Sequence, residues 1–262
     1  MSVTFDSVQI LKYITQENRW YEIPKRLLLA IWHQIYKRLT QGIISHRLPN
    51  GAHIFLYPNC PISSAFVYSG LPDRKEIGWL RQHSNKEKTI FLDIGANMGS
   101  YSALLSDKAH AIYAFEPHPA AFQRCQMNFL LNHLSLQHVF RVALCQKKGT
   151  RYFKNEGAYG APTNRLTDSA MNGIVVTATT LDDFANTHFL VHKNVEYLLK
   201  IDVEGAEAQV LQGAKEFLST YPIAGILFEC FDANLKAVKQ ILQTYGFRIT
   251  HLNHHNYFAK KQ

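Results

Sequence analysis

Residues 91–102 read FLDIGANMGSYS: an apolar run ends at Asp93, and Gly95 and Gly99 then lead into a stretch of small residues. Such a run suits a strand buried on both faces, and the glycines suit the tight turn by which that strand enters a crossover helix. The pattern repeats downstream. HAIYAFE (110–116) precedes the helical PAAFQRCQMNFLLNHL (119–134), and HVFRVAL (138–144) is a third β-rich run. EYLLKIDV (196–203), GAEAQVLQGAKEFLST (205–220), AGILFEC (224–230) and NLKAVKQILQTY (234–245) continue the alternation, and FRITHL and YFAKK close the chain as strands. Strands alternating with helical segments predict an α/β, Rossmann-like, mostly parallel sheet flanked by helices, here over residues 85–262.

Upstream, residues 1–48 contain IPKRLLLAIWHQIYKRL (23–39), a helix with Pro24 in its first turn. Leu28, Trp32, Ile35 and Leu39 share one face, with Lys25, Arg26, Lys37 and Arg38 near the ends. We read that face as packing on the catalytic domain or on a partner copy, ahead of contact with a membrane surface. Residues 49–84 carry Asn50-Gly51, Pro58, Pro61 and Pro72 among short β-rich runs, which predicts a small cap of strands and turns. The polar interval 146–173 reads as a substrate loop.

The 262 residues are 47% hydrophobic and 18% charged, which excludes a predominantly disordered chain. No apolar run approaches the roughly 20 residues that span a bilayer, and MSVTFDSVQI lacks a signal core, so the expectation is a cytoplasmic protein. The net charge of +8 suits an anionic partner, but the basic residues are dispersed and no aromatic-basic RNA motif argues for nucleic acid. Cys60, Cys125, Cys145 and Cys230 form no metal-ligand spacing and read as reduced thiols. His251, His254 and His255 read as a solvated turn, and no metal is assigned.

The loop Gly95-Ala96-Asn97-Met98-Gly99 departs from the GxGxxG of dinucleotide sites. Asp93 and Asn97 better suit a zwitterionic amino-acid group, whose ammonium needs acceptors and whose carboxylate needs donors; S-adenosylmethionine carries such a group. Glu116 ends the next strand, where a carboxylate can accept from both ribose hydroxyls. Asp202 and Glu204 lie at the carboxyl edge after residues 196–201, placed to orient or deprotonate an acceptor hydroxyl. Glu207 reads as a first-turn residue favoured by the helix dipole. A nicotinamide-dependent oxidoreductase and a non-catalytic adenosine-cofactor module are the competing readings.

FLDIGANMGSYS, YAFEPHP, MNFLLNHL and LLKIDVEGAEAQVLQGAKEFL, in that order, resemble the FkbM family of methyltransferases. NGAHIFLYP (50–58), TTLDDF (179–184) and NYFAKK (256–261) extend the resemblance to about residues 50–260. It implies a seven-stranded sheet, S-adenosylmethionine as donor, and O-methylation of a sugar, glycolipid or related natural product. By matching motifs, Asp93, Gly95, Ala96, Asn97 and Gly99 would cradle the methionyl part, Glu116 the ribose, and the segment around Ala143 the adenine. Cys145 and Gln146 follow Ala143 where an acid for the adenine amino group is lacking, which leaves backbone contacts. A homo-oligomer and a peripheral membrane contact both stay open.

Overall fold

The computed structural model describes residues 7–58, 60–154, 165–167, 173–188 and 194–262. Helix α1 (Ser7–Glu17) and helix α2 (Ile23–Thr40) come first, with Pro24 in the first turn of α2. Strands β1 (Ile44–Arg47) and β2 (His53–Leu56) form an antiparallel hairpin that crosses the boundary expected at 48/49. Two helices follow, α3 (Pro61–Ser69) and α4 (Arg74–Gln82), where β-rich composition had suggested strands. Pro61 starts α3 at a position that needs no N–H, and Gly70 ends it at φ +77°.

The face of α2 that meets the protein is not the one expected. Ala30 and His33 are its buried residues, and Gln34 Nε2 donates to Tyr68 Oη of α3 at 2.6 Å. Leu28, Trp32, Ile35 and Leu39 are exposed. The helical period groups them correctly, but α3 takes up the opposite side, so the reading that they pack on the catalytic domain is corrected.

The core elements in chain order are β3 (Thr89–Ile94), α5 (Ser100–Leu105), β4 (Ala111–Phe115), α6 (Pro119–Leu131), β5 (Val139–Phe140) and β6 (Ala143–Leu144). Then come β7 (Gly149–Lys154), β8 (Arg165–Thr167), β9 (Gly173–Thr179), α7 (Leu181–His188), β10 (Glu196–Ile201), α8 (Glu207–Gln212) and α9 (Lys215–Thr220). Strand β11 (Ile223–Glu229), helix α10 (Asp232–Thr244), β12 (Phe247–Asn253) and β13 (Asn256–Lys261) complete the chain. Seven strands form one sheet in the order β12-β13-β11-β10-β3-β4-β5, parallel from β11 to β5 and antiparallel at β13 and β12. The Rossmann-like α/β expectation holds.

HVFRVAL divides between two sheets: β5 belongs to the main sheet, whereas β6 joins β9, β7 and β8 in a separate four-stranded sheet. Of the expected substrate loop, residues 155–164 and 168–172 lie outside the described residues. The helix read over 205–220 breaks into α8 and α9 at Gly213, where a Cβ would lie 2.0 Å from the Cys145 carbonyl oxygen. The Asp182 carboxylate then accepts from the Glu216 and Phe217 amides at the start of α9, satisfying donors a helix start leaves orphaned.

Both faces of the sheet are covered. Leu92, Leu199 and Phe115 pack on one side, while Phe91, Leu198 and Ala114 point to the other, as the period of two requires. Ile14, Ala30 and Ile54 join that second cluster, so the N-terminal elements share the core of the sheet. MNFLLNHL supplies the clamp for β2. Asn128 Oδ1 accepts from the Phe55 amide at 2.8 Å, and Asn132 bonds both the amide and carbonyl of His53. Two side chains thus satisfy a strand edge, as a neighbouring strand would. All four cysteines are free and buried.

Candidate active site

The strand order reverses on either side of β3, between β4 and β10, and such a switch point leaves a crevice beyond the carboxyl ends of the strands. A cavity of about 280 Å³ occupies it. Gly95, Ala96, Asn97, Glu116, Ala143, Asp202 and Glu204 all line it, which brings seven of the nine expected site residues to one wall. Among the described residues, 7–48 contribute none of the lining; the outer wall comes from Ile62 and Phe66 of α3 and from Pro72, Asp73 and Ile77 at the start of α4.

Asp93 and Gly99 stand behind that wall. Asp93 is fully buried, and its Oδ2 accepts from the Ser102 amide and hydroxyl at 3.1 and 2.7 Å, tying β3 to α5. A Cβ on Gly99 would lie 2.9 Å from Cys125 Sγ, so that glycine admits α6. Gly95, at φ +78°, lines the cavity and is also closely packed from the protein side. A Cβ there would fall 1.8 Å from the Asp202 carbonyl oxygen, so the space that glycine leaves goes to the loop after β10. The glycines make the loop by allowing protein to approach it; the groups that face the cavity are Asn97, at φ +51°, and the neighbouring backbone.

Lys200, in β10, joins these pieces. Its buried ammonium donates to the Gly95 carbonyl at 2.7 Å and pairs with Asp202 at 3.2 Å and Asp93 at 3.6 Å. Burial alone would lower the pKa of that ammonium, but the Asp202 and Asp93 carboxylates outweigh it and hold the group above its ordinary range. One cation therefore fixes the glycine loop against β10.

Glu116 is buried and accepts from the Asn97 amide at 2.8 Å and the His118 amide at 2.9 Å, one bond to each oxygen. Each oxygen keeps a second lone pair for a ligand hydroxyl. Burial pushes its carboxyl up to about 7, against the pull of those two amides. His118 caps α6, stands edge-on to Phe153 at 5.5 Å, and lines the cavity beside Val142, Ala143 and Leu144. Val142, Ala143, Leu144 and Phe153 make this part of the cavity lining apolar, next to a carboxylate that can take two hydroxyls. An adenosine fits that donor set, and the Gly95–Asn97 loop suits an attached amino-acid group.

The cavity lining that follows β10 and β11 is acidic. Glu204 sits in the left-handed region at φ +53°, followed by Gly205 at +95°, and the turn is held by Glu207 Oε1, which accepts from the Val203 and Gly205 amides. Glu207 does more than complement a helix dipole: it shapes the loop that presents Glu204. Burial, then the nearby Asp202 and Glu207 carboxylates, push the Glu204 carboxyl up to about 7. Glu229, at the end of β11, lines the same cavity and is driven to about 8 by burial and by Asp202 and Glu204. Asp73 accepts from Tyr101 Oη at 3.1 Å and rises to about 6 through burial and Glu76.

The sequence reading missed Glu229 and Asp73. Glu229 carried a usable signal, since AGILFEC delivers a carboxylate to the sheet edge as FLD and AFE do. Asp73 carried none, because only the folded chain brings α4 over the cavity. Among the described residues no group of three or more His, Cys, Asp or Glu side chains is placed to hold a metal ion. His251 Nε2 instead contacts the His254 carbonyl at 2.9 Å, and His255 packs on Phe231.

The family model of the methyltransferase FkbM domain matches residues 93–249. The chain belongs to the FkbM methyltransferase family. It is 29% identical over 153 residues to the 2-O-methyltransferase NoeI of Sinorhizobium fredii, an alignment that covers 51% of this chain and 60% of that protein. It is 26% identical over 135 residues to the hexuronic acid methyltransferase AglP of Haloferax volcanii, covering 52% and 54%. The FkbM chain thus spans somewhat over half the length of these relatives. Among solved structures it superposes on a precorrin-6y C5,15-methyltransferase of Geobacter metallireducens at 13% identity and TM-score 0.41, over 73% of this chain and 90% of that one. Membership in this family sets aside the nicotinamide-dependent alternative.

Proposed function

We propose that this chain transfers the methyl group of S-adenosylmethionine to a hydroxyl of a sugar or sugar-containing acceptor. The observation that carries this reading is one cavity lined both by Glu116 with the apolar Val142–Leu144 and Phe153 and by carboxylates with raised pKa. When bound, the cofactor supplies an electrophilic methyl on a sulfonium leaving group. Glu116 would take the ribose hydroxyls, the Val142–Leu144 backbone and Phe153 the adenine, and the Gly95–Asn97 loop the amino-acid end.

A sugar hydroxyl is a weak nucleophile at neutral pH, so the site must hold it in line and accept its proton. Asp202 is engaged by Lys200, which makes it the orienting group. Glu204, tuned to about 7, is matched to the operating pH and would take the proton as the oxygen gains the methyl. The named relatives act on a 2-O position and on a hexuronic acid, which supports a sugar as the acceptor class. We further assign α3 and α4 as the acceptor-facing part, since they reach the cavity and α1 and α2 do not.

The test is methyl transfer from labelled S-adenosylmethionine to a panel of neutral sugars, uronic acids and glycolipids, with Glu204→Gln alongside. Labelled ether product that Glu204→Gln suppresses supports the assignment. Full turnover by Glu204→Gln, or label on nitrogen or carbon, overturns it.

A further inference from the structure

Helix α2 presents five apolar residues to solvent on one stripe: Leu28, Ile31, Trp32, Ile35 and Leu39, each between 48% and 79% exposed. Their spacing of three and four keeps them together over about 16 Å of helix. The opposite face of the helix is already used by α3, so the exposure is a property of the folded chain. Lys25 and Arg38 flank the stripe at its two ends and are exposed. From residue 23 to residue 72 there is no aspartate or glutamate, while Lys25, Arg26, Lys37, Arg38 and Arg47 all fall within that span.

We propose that α2 lies in the plane of an anionic lipid surface, with the apolar stripe set among the headgroups and Lys25 and Arg38 on the lipid phosphates. An in-plane helix needs an apolar face, basic flanks and an aromatic residue at the headgroup level, and Trp32, stacked on Tyr36 at 5.1 Å, supplies the last. Among the described residues no helix is long and apolar enough to cross a membrane, so α2 lies on the surface and does not span it. A second copy of the chain suits the stripe less well. Two α2 helices pairing antiparallel about a two-fold near Trp32 would set Lys25 and Arg26 of each copy beside Arg38 of the other; α2 itself carries no carboxylate to separate these charges, and Glu22 before it already meets the Arg19 amide and Arg26. Phosphates on a bilayer neutralise the same groups.

Helix α3 carries α2 on one side and sends Ile62 and Phe66 into the cavity wall on the other. Docking through α2 therefore holds the cavity one helix layer from the lipid. The inference is independent of the methyl-transfer reading, because lipid binding is measured without turnover.

The experiment is co-sedimentation of the full chain with phosphatidylcholine vesicles and with vesicles that also contain phosphatidylglycerol, read together with tryptophan emission. Expected are binding to the anionic vesicles alone, weakening as salt is raised, and a blue shift of emission. Replacing Leu28, Trp32 and Ile35 together by serine should weaken partitioning by at least about a hundredfold with an unchanged thermal transition, since these side chains are already in water. Lys25→Glu with Arg38→Glu should weaken it by at least about tenfold. Absence of binding by folded wild type overturns the proposal. So does equal binding to neutral vesicles, and so does a dimer in solution that the serine variant dissociates while neither form binds lipid.

Discussion

Two sets of carboxylates meet at the carboxyl edge of the sheet, and they do opposite things. Asp93 and Glu207 are buried and turned onto backbone: Asp93 receives Ser102, and Glu207 receives the Val203 and Gly205 amides. Asp202, Glu204 and Glu229 line the cavity, with Glu204 raised to about 7 by burial and by Asp202 and Glu207, and Glu229 to about 8 by burial and by Asp202 and Glu204. The first set uses its oxygens to define the loops, and the second lines the cavity where a ligand would sit. Glu116 belongs to both, with one lone pair on each oxygen given to a backbone amide and one left over. Position at a strand end thus places a carboxylate near the chemistry, but its hydrogen bonds decide whether it builds the site or works in it.

Substitutions should separate the two sets. Glu204→Gln should lower turnover by about 10²–10⁴-fold while leaving cofactor affinity and the unfolding midpoint nearly unchanged, as steady-state kinetics and calorimetry would read. A thermal transition that collapses with activity would move Glu204 into the structural set. Asp93→Ala should cost about 3–5 kcal/mol in denaturant unfolding, because it strands the Ser102 donors and removes a counter-charge from buried Lys200. Stability within about 0.5 kcal/mol of wild type would break the assignment. Glu207→Ala should sit between, at about 1–3 kcal/mol, with turnover reduced through the Glu204 turn.

Two pH effects are smaller. The ionised form of Glu116 is the better acceptor for ribose hydroxyls, so cofactor affinity should fall about tenfold per pH unit below about 7. Glu116→Gln should bind more weakly and lose that slope. For the ligand-free protein, Glu116, Glu204 and Glu229 titrate higher in the fold than the ordinary 4.5, so the folded state holds more protons and stability falls as pH rises through about 4.5 to 8. His33, lowered to about 4 by burial, works the other way below 6.5. A melting temperature a few degrees higher at about pH 7 than at about pH 8.5 is the expected result, and no change would mean that these carboxyls are ionised throughout.

Much of this was legible in the sequence because parallel strands write a plain signal: a buried apolar run that ends abruptly in a polar residue. Asp93, Glu116 and Asp202 were found that way, and with them the sheet and its active edge. The same rule, applied once more, would have found Glu229. What was not legible depended on contacts across long sequence separations. Gly95 and Gly99 were expected in the tight turn and the cofactor cradle, but nothing in the sequence shows that the space beside them is taken by the Asp202 carbonyl and by Cys125. Residues 61–69 read as strand from their composition but form a helix, because Pro61 and Gly70 frame one and α2 covers it. Helical spacing found the apolar face of α2, but only the position of α3 shows that this face meets solvent.

The most direct test of the central claim is calorimetric titration of S-adenosylmethionine and S-adenosylhomocysteine into wild type and Glu116→Ala, with NAD as control. Saturable binding of both sulfur compounds, weakened by Glu116→Ala and absent for NAD, is the predicted result. Failure of folded wild type to bind either, or binding indifferent to Glu116, would contradict it.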